Sequence, residues 1–129
     1  MKRVLIVEDQ LNDLRIASDI LEQLGPMDVQ ARTNAAAACV YLEDALDGKH
    51  LMPDLMILDL NLGYESGFEL LRFWHSQPRL HGVQVVVWTI MAKEQQELCK
   101  LFGVKHVVPK WEGVDALRRA IEPLAAAVS

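Results

Sequence analysis

The chain has 129 residues, 51% of them hydrophobic and 24% charged, which suits one globular domain with a core of its own. Thirteen basic and eighteen acidic side chains give a net charge of -5, and that balance argues against nucleic acid or an anionic membrane as the main partner. No segment approaches the ~18 apolar residues of a membrane span, and the first apolar run is too short for a signal peptide, so a cytoplasmic protein is expected.

Val4-Leu5-Ile6-Val7 reads as the first strand and ends in Glu8-Asp9. Leu11, Leu14, Ser18, Leu21 and Leu24 then recur at helical spacing, and Gly25-Pro26 supplies the stop. Val29 to Arg32 is a short second strand, and Asn34 is placed to cap an alanine-rich helix that ends near Gly48. After a polar loop from Asp47 to Pro53 come Leu55 to Leu58, apolar on both alternating faces and bounded by Pro53 and Gly63. That is the pattern of a strand in the middle of a parallel sheet, and it runs straight into Asp59. Ser66-Gly67-Phe68-Glu69 offers a capping box for the next helix, which carries Phe68, Leu71 and Trp74 on one face and breaks before Pro78.

Val83 to Trp88 is the fourth strand, ending in Thr89. Ala92 to Phe102 reads as a helix with Leu98, Leu101 and Phe102 inward, closed by Gly103. Val104 to Val108 is the fifth strand, followed by Pro109-Lys110, and a last helix carries Val114, Leu117, Ile121 and Leu124 before an alanine-rich tail. Cys39 and Cys99 lie inside helical patterns with no metal spacing and read as buried thiols of a reducing compartment. His50, His75, His81 and His106 show no ligand spacing and are expected at the surface. Trp74 and Trp88 are expected in the core, whereas Trp111 has no evident core slot.

Five strands alternating with five helices imply right-handed crossovers and an α/β, doubly wound, five-stranded parallel sheet with helices on both faces. Ligands of such sheets sit beyond the carboxyl ends of the strands, where the strand order reverses. In the order 2-1-3-4-5, the strand ends Glu8-Asp9, Asp59, Thr89 and Lys110 meet at one edge. Two like charges ~4 Å apart at an effective dielectric of ~20 repel by about 4 kcal/mol, so three gathered carboxylates call for a raised pKa or a bound cation. Hard oxygen donors without histidine or cysteine favour Mg²⁺. A cation, a lysine and a hydroxyl around a carboxylate suit a transferring phosphoryl group, with the aspartate as in-line nucleophile.

These residues resemble a known family. The acidic pair Glu8-Asp9, the run L-D-L-N-L with Gly67 eight residues past Asp59, Thr89 30 residues past Asp59, and Lys110 21 past Thr89 are similar to the receiver domain of bacterial two-component response regulators. The resemblance covers essentially the whole chain and is weaker, through the loop Asp47 to Pro53 and the D-L-N-L wording, to the small regulators paired with phytochrome-type kinases. It implies a flavodoxin-like single receiver domain, residues 1–129, with no output domain. It further implies that Asp59 accepts phosphate from a sensor histidine kinase or phosphotransfer protein. Asp9 and Asp59 would ligate Mg²⁺ directly, Glu8 through water, and the backbone carbonyl of Asn61 would complete the protein ligands. Lys110 would pair with the phosphoryl oxygens, and Thr89 would bond the phosphoryl group and carry the switch.

The implied protein is a phosphoacceptor rather than an enzyme, assisting its own transfer and dephosphorylation and signalling to a downstream protein target or relaying phosphate onward. Lys93, Lys100, Lys105 and Arg118 alternate with Glu94, Glu97, Asp115 and Glu122, a mixed charge that suits a homodimer through the fourth helix, fifth strand and fifth helix or a merely solvated face. The chain also departs from the family. Val107 stands where an aromatic is usual, and Ile90 replaces a small residue after the hydroxyl and is expected to crowd the pocket. Pro109 precedes Lys110, with Trp111 after it, which leaves the lysine's reach open; Gly63 replaces a proline and is expected to loosen its loop. Those departures keep a second reading in view, a phosphorylation-independent adaptor. An aspartate-nucleophile phosphatase ranks last, because Asn61 stands where such enzymes need an acid.

Overall fold

The computed structural model describes residues 1–91 and 93–126. The chain runs β1 (Lys2–Val7), α1 (Leu11–Leu24), β2 (Met27–Arg32), α2 (Ala35–Leu46), β3 (Leu55–Leu58), β4 (Asn61–Leu62), β5 (Glu65–Ser66), α3 (Phe68–Ser76), β6 (Gln84–Thr89), α4 (Lys93–Leu101), β7 (His106–Pro109) and α5 (Val114–Ala126). Five strands form one parallel sheet in the order β2-β1-β3-β6-β7, and β4-β5 is a separate two-stranded hairpin. Counting the main strands alone, the order is 2-1-3-4-5, as expected. Val7 pairs with Leu58, Leu58 with Val87, and Val87 with Val107, so one level row of apolar residues underlies the strand ends.

Alternation along the strands divides the core in two. Leu5, Val7, Met56, Leu58, Val85 and Val87 face a cluster built with α2, α3 and Cys99 of α4. Val4, Ile6, Leu55, Ile57, Val86 and Trp88 face the other side, with Ala17, Ile20 and Leu21 of α1 and Leu117 and Ile121 of α5. None of the four side chains of β3 is more than 2% exposed, and burying each contributes about 1.5–3 kcal/mol. The strand that leads into Asp59 is therefore firmly anchored on both faces.

Asn34 caps α2 as expected, its side chain accepting from Ala37 N at 2.7 Å, and Glu65 Oε2 accepts from Ala35 N at 2.7 Å as a second cap from the hairpin. The capping box does not form. α3 starts at Phe68 behind Gly67, and Ser66 Oγ accepts from Phe68 N at 3.2 Å, because Ser66 is held in β5 opposite Asn61. The inward stripe of α4 also differs: Leu98 and Leu101 are exposed, and Cys99 is wholly buried. The buried stripe is turned by one residue, about 100° round the helix. The expected helix start at Ala92 lies outside the described residues, as do residues 127–129 of the expected tail. Val114 is 41% exposed, so α5 docks through Leu117 and Ile121. Among the described residues, no helix is long and apolar enough to cross a membrane.

Candidate functional site

The site begins where the sheet's hydrogen bonds run one residue past the strands. Glu8 N donates to Arg32 O at 3.1 Å and Asp59 N to Val7 O at 3.0 Å, which fixes both acidic residues at adjacent strand ends. Glu8, Asp59 and Thr89 are buried. Carboxylate oxygens of Glu8, Asp9 and Asp59 lie within 4.8 Å of one another, the one such cluster of three or more metal-capable side chains among the described residues. Asp59 Oδ1 accepts from the Thr89 hydroxyl at 2.5 Å and from Asn61 N at 2.9 Å. Its Oδ2 accepts from Lys110 Nζ at 2.9 Å. Lys110 Nζ also donates to Glu8 Oε1 at 2.8 Å and to Asp13 Oδ2 at 2.6 Å. The structure thus brings together Glu8, Asp9, Asp59, Thr89 and Lys110, and the altered residue order leaves the lysine's reach intact.

Burial pushes the Glu8 carboxyl up to about 7, with the neighbouring charge of Asp59 adding to the rise and the Lys110 hydrogen bond opposing it. Burial pulls Lys110 the other way, but its bonds to Asp13, Glu8 and Asp59 outweigh this and hold its ammonium well above the ordinary lysine range. Lys110 is a fixed cation. Asp9 Oδ1 is buried with no hydrogen-bond partner, a costly state for a carboxylate oxygen. An orphaned oxygen inside an all-carboxylate cluster fits a hard divalent cation.

Two glycines shape this rim. Gly63 has φ +68° at the first turn position of the β4-β5 hairpin, a conformation that favours glycine. The loop expected to be loosened is instead closed into a hairpin, with Gly63 beside Asp9 Oδ2. Gly67 is required by space: a Cβ there would lie 2.7 Å from the Asp59 carbonyl oxygen and 2.8 Å from Leu60 Cα.

Ile90, expected to crowd the pocket, is 67% exposed. Its carbonyl accepts from Asn61 Nδ2 at 2.7 Å, and that amide also lies 3.4 Å from Thr89 Oγ1. Asn61 is expected to act through its backbone carbonyl; what its side chain does here is tie β4 to the end of β6 and the loop after it. Val107 is half-buried against the α2-α3-α4 core, where its small side chain leaves no aromatic ring to follow Thr89. Trp88 is a core residue as expected, with Lys110 Nζ 5.0 Å from its ring centre, a favourable cation–π placement. Trp111 is 70% exposed. Sequence reasoning missed Asp13, which stands in the first turn of α1 and meets Lys110 only through the fold.

The sequence pattern of the response regulator receiver domain matches residues 4–122. The chain belongs to this family. Among the receiver's relatives, virulence sensor protein BvgS of Bordetella bronchiseptica is 28% identical over 130 residues, covering 96% of this chain and 10% of BvgS. The chain therefore spans about a tenth of that relative's length. Polar-differentiation response regulator DivK of Brucella ovis is 27% identical over 111 residues, 84% of each chain. The crystal structure of the phosphorylated cyanobacterial phytochrome response regulator RcpA superposes with a TM-score of 0.79 at 26% identity, covering 95% of this chain and 90% of that one. Receiver domains of two-component response regulators are typically phosphoacceptor signalling domains rather than classical enzymes.

Proposed function

We propose that Asp59 takes a phosphoryl group from a phosphohistidine of a sensor histidine kinase or phosphotransfer protein. A carboxylate oxygen of Asp59 attacks phosphorus in line, the phosphorus–nitrogen bond to the donor imidazole breaks, and the ring nitrogen leaves with the electron pair. The product is an acyl phosphate on Asp59. Lys110, held 2.9 Å from Asp59 Oδ2, is placed to neutralise charge on the phosphoryl oxygens, and the Thr89 hydroxyl on Oδ1 to donate to one of them. Asp9, Asp59 and the backbone carbonyl of Asn61 would hold Mg²⁺, with Glu8 acting through water. When bound, the cation supplies positive charge against the phosphoryl oxygens and offsets the repulsion among the carboxylates. The observation that carries this reading is Asp59 between the Thr89 hydroxyl and the Lys110 ammonium, next to the orphaned Asp9 Oδ1.

The covalent phosphate then biases a two-state equilibrium that a downstream protein reads by docking, or the group is relayed onward. A cytoplasmic location and a homodimer through α4, β7 and α5 belong to the same proposal, which concerns the receiver unit, residues 1–129. Incubation with Mg²⁺ and acetyl phosphate, followed by intact mass, tests it. One added phosphoryl group, mapped to Asp59, supports it; an unlabelled wild type beside a labelled control receiver counts against it.

A second reading is a phosphorylation-independent adaptor. It is favoured by the Thr89 hydroxyl, which already sits on Asp59, and by Val107, which provides no aromatic partner to move with it. The same labelling experiment separates the two.

A further inference from the structure

An ammonium group has three N–H donors, and Lys110 commits all three to carboxylates: Glu8 Oε1 at 2.8 Å, Asp13 Oδ2 at 2.6 Å and Asp59 Oδ2 at 2.9 Å. Its side chain is 11% exposed, and the Trp88 ring closes another side with its centre 5.0 Å from Nζ. The three acceptors differ in what the chemistry asks of them. Asp59 gives up its free carboxylate when it becomes an acyl phosphate. Glu8 belongs to the cluster placed to hold a cation. Asp13 belongs to neither group, and its contact is the shortest of the three.

Asp13 stands in the first turn of α1, where unpaired backbone N–H groups and the helix dipole favour negative charge. Gln10 at the helix cap makes no side-chain capping bond. The Asp13 side chain is partly exposed, so it is a carboxylate in contact with water on one side and with the ammonium on the other. Such a group stays available to Lys110 whatever occupies the acceptor.

The geometry points to Asp13 as the positioning residue of this site: it anchors the Lys110 ammonium so that one donor remains aimed at the phosphoryl oxygens once Glu8 and Asp59 are engaged elsewhere. This rests on the phosphoacceptor reading and adds to it a fourth carboxylate that touches neither the reacting phosphorus nor the cation. Because the lysine is shared between an anchor and the incoming group, its charge is directed rather than free. Trp88 limits the alternatives by covering the ammonium with an apolar ring that still tolerates a cation.

Four proteins test this: wild type, Asp13→Asn, Lys110→Met and the double variant. Their rates of labelling by acetyl phosphate and their Mg²⁺ affinities are measured in parallel. Asp13→Asn is expected to slow labelling by about tenfold, a fraction of the effect of deleting a stabilising donor outright. Its Mg²⁺ affinity stays within about twofold of wild type, and in the Lys110→Met background it adds nothing further. Unchanged labelling, a parallel fall in Mg²⁺ affinity, or an additive effect without Lys110 would each overturn the assignment. A readout without phosphate separates this from failure of the acceptor reading: competitive acetylation of folded, Mg²⁺-free protein, with Lys110 scored by peptide mass. Greater modification of Lys110 in Asp13→Asn than in wild type, with the other lysines unchanged, supports the anchor even if the wild type takes no phosphate. Equal modification refutes it.

Discussion

Thr89 donates its hydroxyl to Asp59 Oδ1 at 2.5 Å, and Thr89 is wholly buried. The same hydroxyl oxygen accepts from Leu60 N at 3.3 Å, so one side chain stitches β6 to the end of β3. Thr89→Ala removes a charge-assisted bond but leaves Asp59 Oδ1 its bond from Asn61 N. The expected cost is about 1.5–3 kcal/mol of stability in urea unfolding, the range for hydrogen bonds to charged groups. Thr89→Ser keeps the hydroxyl and is expected to retain most of that stability.

Gly67 has no alternative at its position. The Cβ of Gly67→Ala meets backbone atoms of Asp59 and Leu60 at 2.7 and 2.8 Å, so β3 or α3 must move. Overpacking of this kind costs about 1–3 kcal/mol. The displaced strand end carries Asp59, so labelling falls together with stability. Gly82→Ala is the matched control, since nothing lies within 4 Å of a Cβ there, and its thermal midpoint is expected close to that of wild type.

The carboxylate cluster predicts a cation-dependent stability. With Mg²⁺ at about 100 times its dissociation constant, the folded state gains about 2.7 kcal/mol, read as a rise in thermal midpoint that EDTA reverses. Asp9→Asn removes one of the clustered charges and supplies an amide in place of the orphaned carboxylate oxygen. That variant is expected to melt no lower than wild type in EDTA and to lose most of the Mg²⁺ response. An unchanged response would place the cation elsewhere.

Much of this site is legible in the sequence because a buried parallel strand announces its own end. Val4 to Val7 and Leu55 to Leu58 run without interruption into Glu8 and Asp59, and the sheet order then puts those acids side by side. What stays hidden depends on rotation and reach. Leu98, Leu101 and Phe102 satisfy helical spacing as well as Cys99 does, and only docking shows that α4 buries the small thiol. Ile90 stands out in the linear pattern for its side chain, yet only the fold shows its carbonyl accepting from Asn61 Nδ2. Asp13 is invisible for a third reason: its partner, Lys110, is 97 residues away.

Burial also sets the reactivity of the two thiols. It pushes Cys99 up to about 11, and it raises Cys39, with the charges of Glu43, Glu69 and Glu65 adding to the effect. Below its pKa a cysteine is a neutral thiol, so at pH 8 about one Cys99 in a thousand is the reactive thiolate. Iodoacetamide on the folded protein is expected to modify half-buried Cys39 well before Cys99, with both reacting readily in urea. Peptide mass after timed quenching reads the order, and raising the pH toward 11 speeds Cys99 only while the fold persists.

Asp59, set between Thr89 and Lys110, is proposed as the phosphoacceptor. Intact-mass analysis of wild type and Asp59→Asn after incubation with Mg²⁺ and acetyl phosphate tests it most directly. One phosphoryl group on wild type, lost on adding EDTA before the donor and absent from Asp59→Asn, is the predicted result. A wild type that takes no label where an ordinary receiver does, or label that persists in Asp59→Asn, would contradict it.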